Sequence, residues 1–589
     1  MTKKNKEKEF KYKKMKRKFV PKNLSWKSFH DLEKLFKSLM DREIDSQKDL
    51  EKLIGDLNEI KIVLFEKRTR AFINMTAHTN DKKMQKEYIH FITKIEPKSK
   101  EYIFKIHEKI LETHQKFPLS SPKYKIYTRH LENHHKLFRK ENIELEKQDE
   151  KLINDYSKIM GNMMFSFKGK EYTSKQMYKF LEDQDRSLRK EAYEVLWNKI
   201  EKEIKEIYGI FEKQIRIRNK IAKNADFKNY RDYKFEELER FYYTPRDCFS
   251  FHENIKKNIL PFVNKITERR KNALGINNLK PWDTYVDIHG ENPLRPFSTS
   301  KELLNKTISI FKKVHPELGE KVSLMKKNKM LDLESREGKA PGGYMSDLPE
   351  TKIPFIFMNS AGIHEDILIL IHESGHAFHH FAYNEQPLIE YHTPPNEISE
   401  VASMSMELIT MNKWDIFYEK KEDLLRAKIR HLESIILLFP WISIIDLFQH
   451  WIYTQENLNR LSVIKKWKEL IDSFRPYIDY KGSNFSYSYA WVRQPHLFEV
   501  PFYYIEYALA QLGALQLWAN YKKDPRRTIT QYMKGLSLGG SKPLPELFEA
   551  IGIKFDFSEK MLKKLINEVN KELELSLEEL SLISSSSYH

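Results

Sequence analysis

Through most of this chain apolar residues recur every three or four positions, with lysine and glutamate between them. From Trp26 to about Met75 the pattern is helical: Leu50, Leu53, Ile54, Leu57, Ile60, Val63 and Leu64 fall on one stripe of a 3.6-residue period. Residues 85–160 and 175–225 continue as long, charged amphipathic segments. They are broken at Thr79-Asn80, between Pro118 and Pro122, and at Gly161-Asn162, where turn-forming residues gather. Residues 165–172 read as a short hairpin between helices. A helix start at Tyr242-Tyr243-Thr244-Pro245 leads into a further helical stretch ending at about Leu274, just before Gly275. The least helical part is 336–359. There Gly342-Gly343 permits positive φ or a close backbone approach, and the β-rich run 353–359 predicts a strand. No fixed-period repeat argues for a solenoid. The expected fold is therefore mainly α, with a small β-element. The expected divisions are a basic flexible arm over 1–20, a helical domain over 21–225 and a second helical domain over 226–589.

Composition supports this and removes some alternatives. Glycine (18) and proline (23) are scarce for 589 residues, and a hydrophobic share of 40% is enough for an ordinary core. The net charge of +18 arises from 102 basic and 84 acidic residues. These are mixed along helix surfaces, as in 199–206, rather than segregated, so a charged helix surface explains them better than a nucleic-acid site. The single cysteine, Cys248, excludes an internal disulfide and a multi-cysteine metal site, and reads as a partly buried structural residue. The first 26 residues are basic but have no apolar core of a secretory signal. The run from Ser434 to Ile445, interrupted by Pro440, reads as a core helix pair and not as a membrane span. A cytoplasmic location is expected. The Gly-rich loop matches neither phosphate-binding glycine pattern, so a nucleotide site is rejected.

The chemistry concentrates in Ile371-His372-Glu373-Ser374-Gly375-His376, an H-E-x-x-H motif inside an apolar lead-in (Ile367, Leu368, Leu370) and continuation (Ala377, Phe378, Phe381). Residues four apart share a helix face, so His372 and His376 can aim two imidazoles at one Zn²⁺, with Glu373 within reach of a water beside it. A catalytic zinc takes a third protein ligand and keeps one position open. After Pro394-Pro395, a helical run carries Glu397, Glu400 and Glu407, three and then seven apart. Ile398, Val401, Met404 and Leu408 mark that helix as buried, and a buried carboxylate needs a partner. One of the three glutamates is expected to bind metal and another to orient a histidine.

His372-Glu-Ser-Gly-His376-Ala-Phe-His379, followed by Ser399-Glu400-Val401-Ala402-Ser403 and Glu407, resembles the thimet oligopeptidase and oligoendopeptidase F family of zinc peptidases, and most nearly its oligoendopeptidase F branch. The resemblance implies Glu400 as third ligand and Glu407 as the acidic support one heptad on. Glu397, in an Asn-Glu pair similar to that of thermolysin-like enzymes, ranks second. Downstream, the segment from Trp491 to Ala514 is similar to the family's substrate-binding and oxyanion-stabilising block. By that likeness His496, Tyr503 and Tyr507 are catalytic candidates, and Tyr504 a lesser one for substrate binding. Gly342, Gly343, Tyr344 and Asn359 resemble the edge along which an extended peptide pairs. His364, His379, His380 and His392 read as packing or supporting residues.

What the resemblance implies is a nearly all-α, multi-helical ellipsoid split by a deep channel. Its activity would be that of a zinc endopeptidase with one Zn²⁺ per chain, a Glu373 general base and short unstructured oligopeptides as substrates. Neither nucleic acid nor membrane is an expected partner, and the oligomeric state stays open between monomer and dimer. The competing readings are a zinc metallocarboxypeptidase or dipeptidyl carboxypeptidase, and a basic nucleic-acid-binding helical protein.

Overall fold

The stripe of Leu50, Leu53, Ile54, Leu57 and Ile60 forms the buried face of a helix, Gln47–Ala77, opened by Ser46, whose side chain accepts the Asp49 N–H. In the computed structural model, residues 14–290 and 292–586 are described. They form a mainly α structure with two small sheets. Of the expected basic arm, residues 1–13 lie outside the described residues, and residues 14–20 are docked rather than free. Arg17 grips Glu350 through Nε (2.9 Å) and Nη2 (2.8 Å). The Glu59 carboxylate accepts the backbone N–H groups of Lys18, Phe19 and Val20. Val20 is buried. The segment is therefore held by a bidentate ion pair and an apolar anchor, which together offset the entropy of a chain end.

The expected division at residue 225 does not coincide with the packing. One buried cluster gathers Val20 to Leu131 together with Leu388 and Tyr391. A second gathers most of the buried apolar residues from Leu137 to Leu580. The helix Arg186–Asn224 belongs to the second, burying Leu196, Ile207, Phe211 and Ile215. It also carries the loop that bears His496: Gln214 Nε2 donates to the Phe498 carbonyl (2.9 Å) and buried Arg218 to the Leu497 carbonyl (3.1 Å). Amphipathic periodicity reveals that a helix has a buried face but not which core receives it.

Punctuation residues act as expected in several places. Strands β1 (Met164–Phe167) and β2 (Lys170–Thr173) form an antiparallel hairpin turned by Lys168 and Gly169, both at positive φ. The stretch after Thr244 starts with a reciprocal Thr244–Asp247 cap. It is two helices, Pro245–Asn258 and Leu260–Leu274, and the second ends at left-handed Gly275. The break sits at Ile259, two residues before Pro261, which has no N–H to continue the ladder. Pro440 behaves differently. Lys421–Ile452 is one continuous helix rather than a pair, with Pro440 inside it. Burial of Ile436, Phe439, Ile442, Ile444 and Ile445 is worth roughly 1.5–3 kcal/mol per side chain. That outweighs the ~3 kcal/mol an internal proline costs. This helix is long and apolar enough to cross a membrane, but 72% of its apolar window is buried inside the protein.

A three-stranded sheet positions the motif helix. Strands β3 (Leu331–Glu334), β4 (Tyr344–Ser346) and β5 (Phe355–Ser360) lie in the order β3-β5-β4, with β3 parallel and β4 antiparallel to β5. After β5 the chain enters the helix His364–Tyr383 at once. Asp366 Oδ2 accepts the N–H groups of Ala361 (2.6 Å), Gly362 (2.8 Å) and Ile363 (3.1 Å) and so ties the helix start to the sheet. The helix Asn396–Thr410 then crosses the motif helix at Gly375, where a Cβ would stand 2.4 Å from the Ser403 Cα and 2.7 Å from the Ala402 carbonyl oxygen. The helix Tyr504–Lys523 crosses the opposite side of the glutamate-bearing helix at Gly513, whose Cβ would stand 2.6 Å from a Val401 methyl.

These contacts carry a prediction. Gly375→Ala places a methyl group against rigid backbone, so overpacking is expected to cost about 1–3 kcal/mol. Denaturant unfolding measures that loss, and it should be accompanied by reduced zinc content in the purified protein. Unchanged stability would mean that the helices part freely at this crossing.

Candidate metal centre

His372 and His376 stand one turn apart on the motif helix, with their rings edge-to-face at 4.9 Å between centroids. The close crossing at Gly375 brings Glu400 opposite them. Glu400 Oε2 lies 3.3 Å from His372 Nε2 and 3.7 Å from His376 Nε2, and the ligand atoms of the three residues all fall within 4.8 Å of one another. Glu407 Oε1 accepts the Nδ1–H of His372 at 2.7 Å, which leaves Nε2 of that ring facing Glu400. Glu400 Oε1 accepts the Tyr503 hydroxyl proton, and Ser403 Oγ lies 3.3 Å from Oε2. Burial disfavours ionised Glu400. The charges of His376 and His372, with hydrogen bonds from His372 and Tyr503, outweigh that and hold its carboxyl at about 2. Burial likewise disfavours a charged His372, but Glu400 and Glu407 raise its pKa well above the usual value. Carboxylates on both sides of one imidazole make this a place that favours positive charge. Two nitrogens of half-buried histidines and one buried carboxylate oxygen, all convergent, suit a zinc ion.

Glu373 follows His372 on the same helix and is buried. Burial pushes its carboxyl up to about 7. His372 and a hydrogen bond from the Met345 backbone oppose the rise, and the charges of Glu400 and Glu407 add to it. The general-base candidate therefore sits between the metal ligands and edge strand β4.

The helix Tyr504–Lys523 and the turn before it supply the remaining groups. Trp441 Nε1, which can only donate, bonds Gln494 Oε1 (3.1 Å), so the Gln494 amide nitrogen faces His496 Nδ1 (2.7 Å). His496 Nδ1 is then an acceptor and its proton rests on Nε2, 3.2 Å from the Tyr507 oxygen. Burial lowers the His496 pKa to about 4, so the ring is neutral at pH 7. With Nε2–H donating to its oxygen, Tyr507 directs its own proton elsewhere. Its ring lines a cavity of about 320 Å³ together with His496, Tyr504, Glu407, His431 and Met404. Tyr504 packs edge-on to His496 at 5.0 Å.

Not every expected residue joins this group. Glu397 accepts from Tyr243 (2.7 Å), in a buried set with Arg240 and Glu506, and is not among the residues around His372. The geometry of the helix explains this. Glu407 lies only about 20° round from Glu400, whereas Glu397 is turned by about 60°. Tyr344 lies in β4, but its ring stacks on Phe357 at 4.7 Å and its hydroxyl bonds Thr76 (2.5 Å). Asn359 Nδ2 donates to the carbonyls of Ala340 (2.8 Å) and Gly342 (3.0 Å) and braces the glycine loop. Gly342 has φ +93 with open space beside it, while a Cβ at Gly343 would press on Ile369 at 3.2 Å. His364 bonds Tyr418, His380 bonds Asp347 and His392 bonds a backbone carbonyl. His379 is buried and edge-on to Tyr383. Sequence reasoning missed Gly375, Gln494, Ser403 and the Met345 backbone. The one available signal was a glycine inside an otherwise good helix, which marks a close approach.

The family model "Peptidase family M3" matches residues 179–566, and "Peptidase M3 N-terminal domain" matches residues 23–138. An oligoendopeptidase F homolog of Lactococcus lactis subsp. lactis (strain IL1403) is 23% identical over 398 residues, 63% of this chain and 61% of that protein. The group B oligopeptidase PepB of Streptococcus agalactiae serotype III is 23% identical over 459 residues, 73% of this chain and 72% of its own length. The match thus spans about three fifths of the Lactococcus relative. The solved structure of PZ peptidase A with an inhibitor superposes with a TM-score of 0.88 at 26% identity, covering 95% of this chain and 99% of that one. Oligoendopeptidase F of Enterococcus faecium shares the fold, with a TM-score of 0.64 at 16% identity over 94% and 98% of the two chains. The N-terminal match ends at residue 138, where the two buried cores also divide. With its HExxH helix, the crossing glutamate helix and a family model that matches well over half its length, this chain belongs to peptidase family M3.

Proposed function

We propose that this chain is a zinc-dependent endopeptidase that hydrolyses short, unstructured oligopeptides, with one Zn²⁺ at the centre formed by His372, His376 and Glu400. The observation that carries this reading is the convergence of those three ligand atoms within 4.8 Å, with Glu373 beside them. The oligopeptidase and oligoendopeptidase names of its relatives support peptide substrates and internal cleavage. Zinc there supplies a Lewis acid for the scissile carbonyl and the attacking water.

The protein's own groups do the rest. Glu373 takes a proton from the attacking water and returns it to the leaving amine. Glu407 fixes the His372 ring through Nδ1, and Tyr503 holds the free oxygen of Glu400. Tyr507, whose oxygen accepts the His496 Nε2–H fixed by Gln494, keeps its own proton to donate to the developing oxyanion. The outer edge of β4 offers backbone groups to an extended peptide, which would add to the sheet as a fourth strand. The open space at Gly342 admits the peptide, and Asn359 holds the loop in shape. Tyr344 acts as a strut to the N-terminal helices and Tyr504 as packing for His496. An extended strand seated between the helices excludes folded proteins and so selects short, unstructured chains.

Chelation should abolish cleavage of an internally quenched peptide blocked at both ends, and added Zn²⁺ should restore it. A zinc carboxypeptidase would leave that blocked peptide intact, so failure to cut it would overturn the endopeptidase assignment. Glu373→Gln should keep the wild-type zinc content and reduce kcat by at least about 10²–10⁴-fold; retained turnover would remove Glu373 as the base. For Tyr507→Phe the expected fall in kcat is about 10²–10³-fold with little change in KM. Gln494→Ala should give a smaller fall, because it frees the His496 proton to change sides without deleting the donor. Equal activity of the Tyr507 variant and wild type would move the oxyanion role elsewhere.

A further inference from the structure

A second set of metal-binding donors lies where the helix Pro245–Asn258 packs against the long helix Lys421–Ile452. Each helix contributes two donors four residues apart: Cys248 and His252 on one, Asp446 and His450 on the other. Such spacing puts both members of a pair on one face. All four are at most 2% exposed. Cys248 Sγ, an Asp446 carboxylate oxygen and a His450 ring nitrogen lie within 4.8 Å of one another. His252 Nε2 bonds Asp446 Oδ2 at 2.7 Å and its Nδ1 bonds Ser443 Oγ at 3.0 Å. His450 Nε2 stands 3.2 Å from the same Oδ2 outside hydrogen-bond geometry. Neither ring nitrogen of His450 has a hydrogen-bond partner, nor does Asp446 Oδ1. Burying polar atoms without a partner is disfavoured, and His450 Nδ1 and Asp446 Oδ1 lie together here with none. The His450 ring is walled by Phe235, Phe249 and Phe502, of which Phe249 is 37% exposed, so the cluster is one aromatic ring from the surface.

We propose that Cys248, Asp446 and His450 form a second, structural site for a transition-metal ion of the Zn²⁺ class, with His252 orienting the Asp446 carboxylate. Sulfur, nitrogen and oxygen together are a donor set for Zn²⁺ or Co²⁺ and not for Mg²⁺ or Ca²⁺. Binding requires the thiolate, so the Cys248 proton leaves to solvent as the metal enters. Tetrahedral bonds of roughly 2.0–2.3 Å set ligand atoms ~3.3–3.8 Å apart. Side-chain rotation on binding would bring the three donors, now within 4.8 Å of one another, to that spacing. The ion would give the unpartnered atoms of Asp446 and His450 a partner and clamp two helices of the core. The rival is a metal-free His252–Asp446–His450 cluster held by the contacts already present.

Zinc counted in the full chain purified without chelator distinguishes these. Two per chain are expected in the wild type, one in Cys248→Ser, and one in His376→Ala, which empties only the peptidase centre. One zinc in the wild type and no loss in Cys248→Ser would overturn the proposal. A loss confined to Cys248→Ser, with none in His376→Ala, would support this site and count against the peptidase centre. A second measurement needs no variant. Cys248 is the only cysteine, and the His372 centre has nitrogen and oxygen donors alone. Co²⁺ titrated into the metal-depleted full chain should therefore produce a near-ultraviolet sulfur-to-cobalt band from this site. Visible cobalt absorption without that band would overturn it.

Discussion

The metal centre depends on how closely two helices approach. Gly375 lies between the two motif histidines, and the backbone of the crossing helix at Ala402 and Ser403 occupies the space a side chain would fill. That contact lets the short Glu400 carboxylate reach the imidazole nitrogens within a few ångströms. Gly513 on the helix Tyr504–Lys523 makes room for the Val401 side chain, so the glutamate helix is gripped between two partners, backbone to backbone at Gly375 and through a side chain at Gly513. Backbone against backbone has few ways to yield, and rigidity of this kind keeps a ligand constellation in register without the ion having to organise it.

Charge is arranged around that crossing with the same economy. Burial alone would neutralise Glu400, yet the two histidines and Tyr503 keep it ionised. For Glu373, one residue from His372, burial outweighs the histidine charge and the Met345 hydrogen bond, and its carboxyl is pushed up to about 7. Two buried carboxylates with opposite tendencies beside one pair of imidazoles are the usual mark of divided roles. The helices 142–161 and 186–224 contribute at a distance. Tyr156 and Arg218 hold the carbonyls of Val492 and Leu497, so the loop bearing His496 is fixed from below.

How much could be read from the residues differs by element. His372, Glu373 and His376 were legible because four-residue spacing on a helix is a local rule. Glu400 and Glu407 were recoverable as a pair, since seven residues return to nearly the same face. Glu397 is turned further round, but that offset alone did not exclude it; its partner, Tyr243, lies 154 residues away. The same limit applies to Gln494, whose orientation is set by Trp441 on another helix. The continuous helix through Pro440 and the docking of residues 14–20 also turn on burial supplied by distant parts of the chain.

By itself, the sequence determined the helical character, the hairpin at Lys168-Gly169, the helix end at Gly275 and the chemical identity of the ligands, all of which follow from local spacing and backbone preference. Only the tertiary structure decided where one core stops and the next begins, and which glutamate meets the histidines. It also decided that Tyr507 meets His496 and that Cys248 lies beside Asp446 and His450. The physical reason is the same in each case. A helical period states which side of a segment avoids water, while the partner on that side is chosen by packing among segments far apart in the chain.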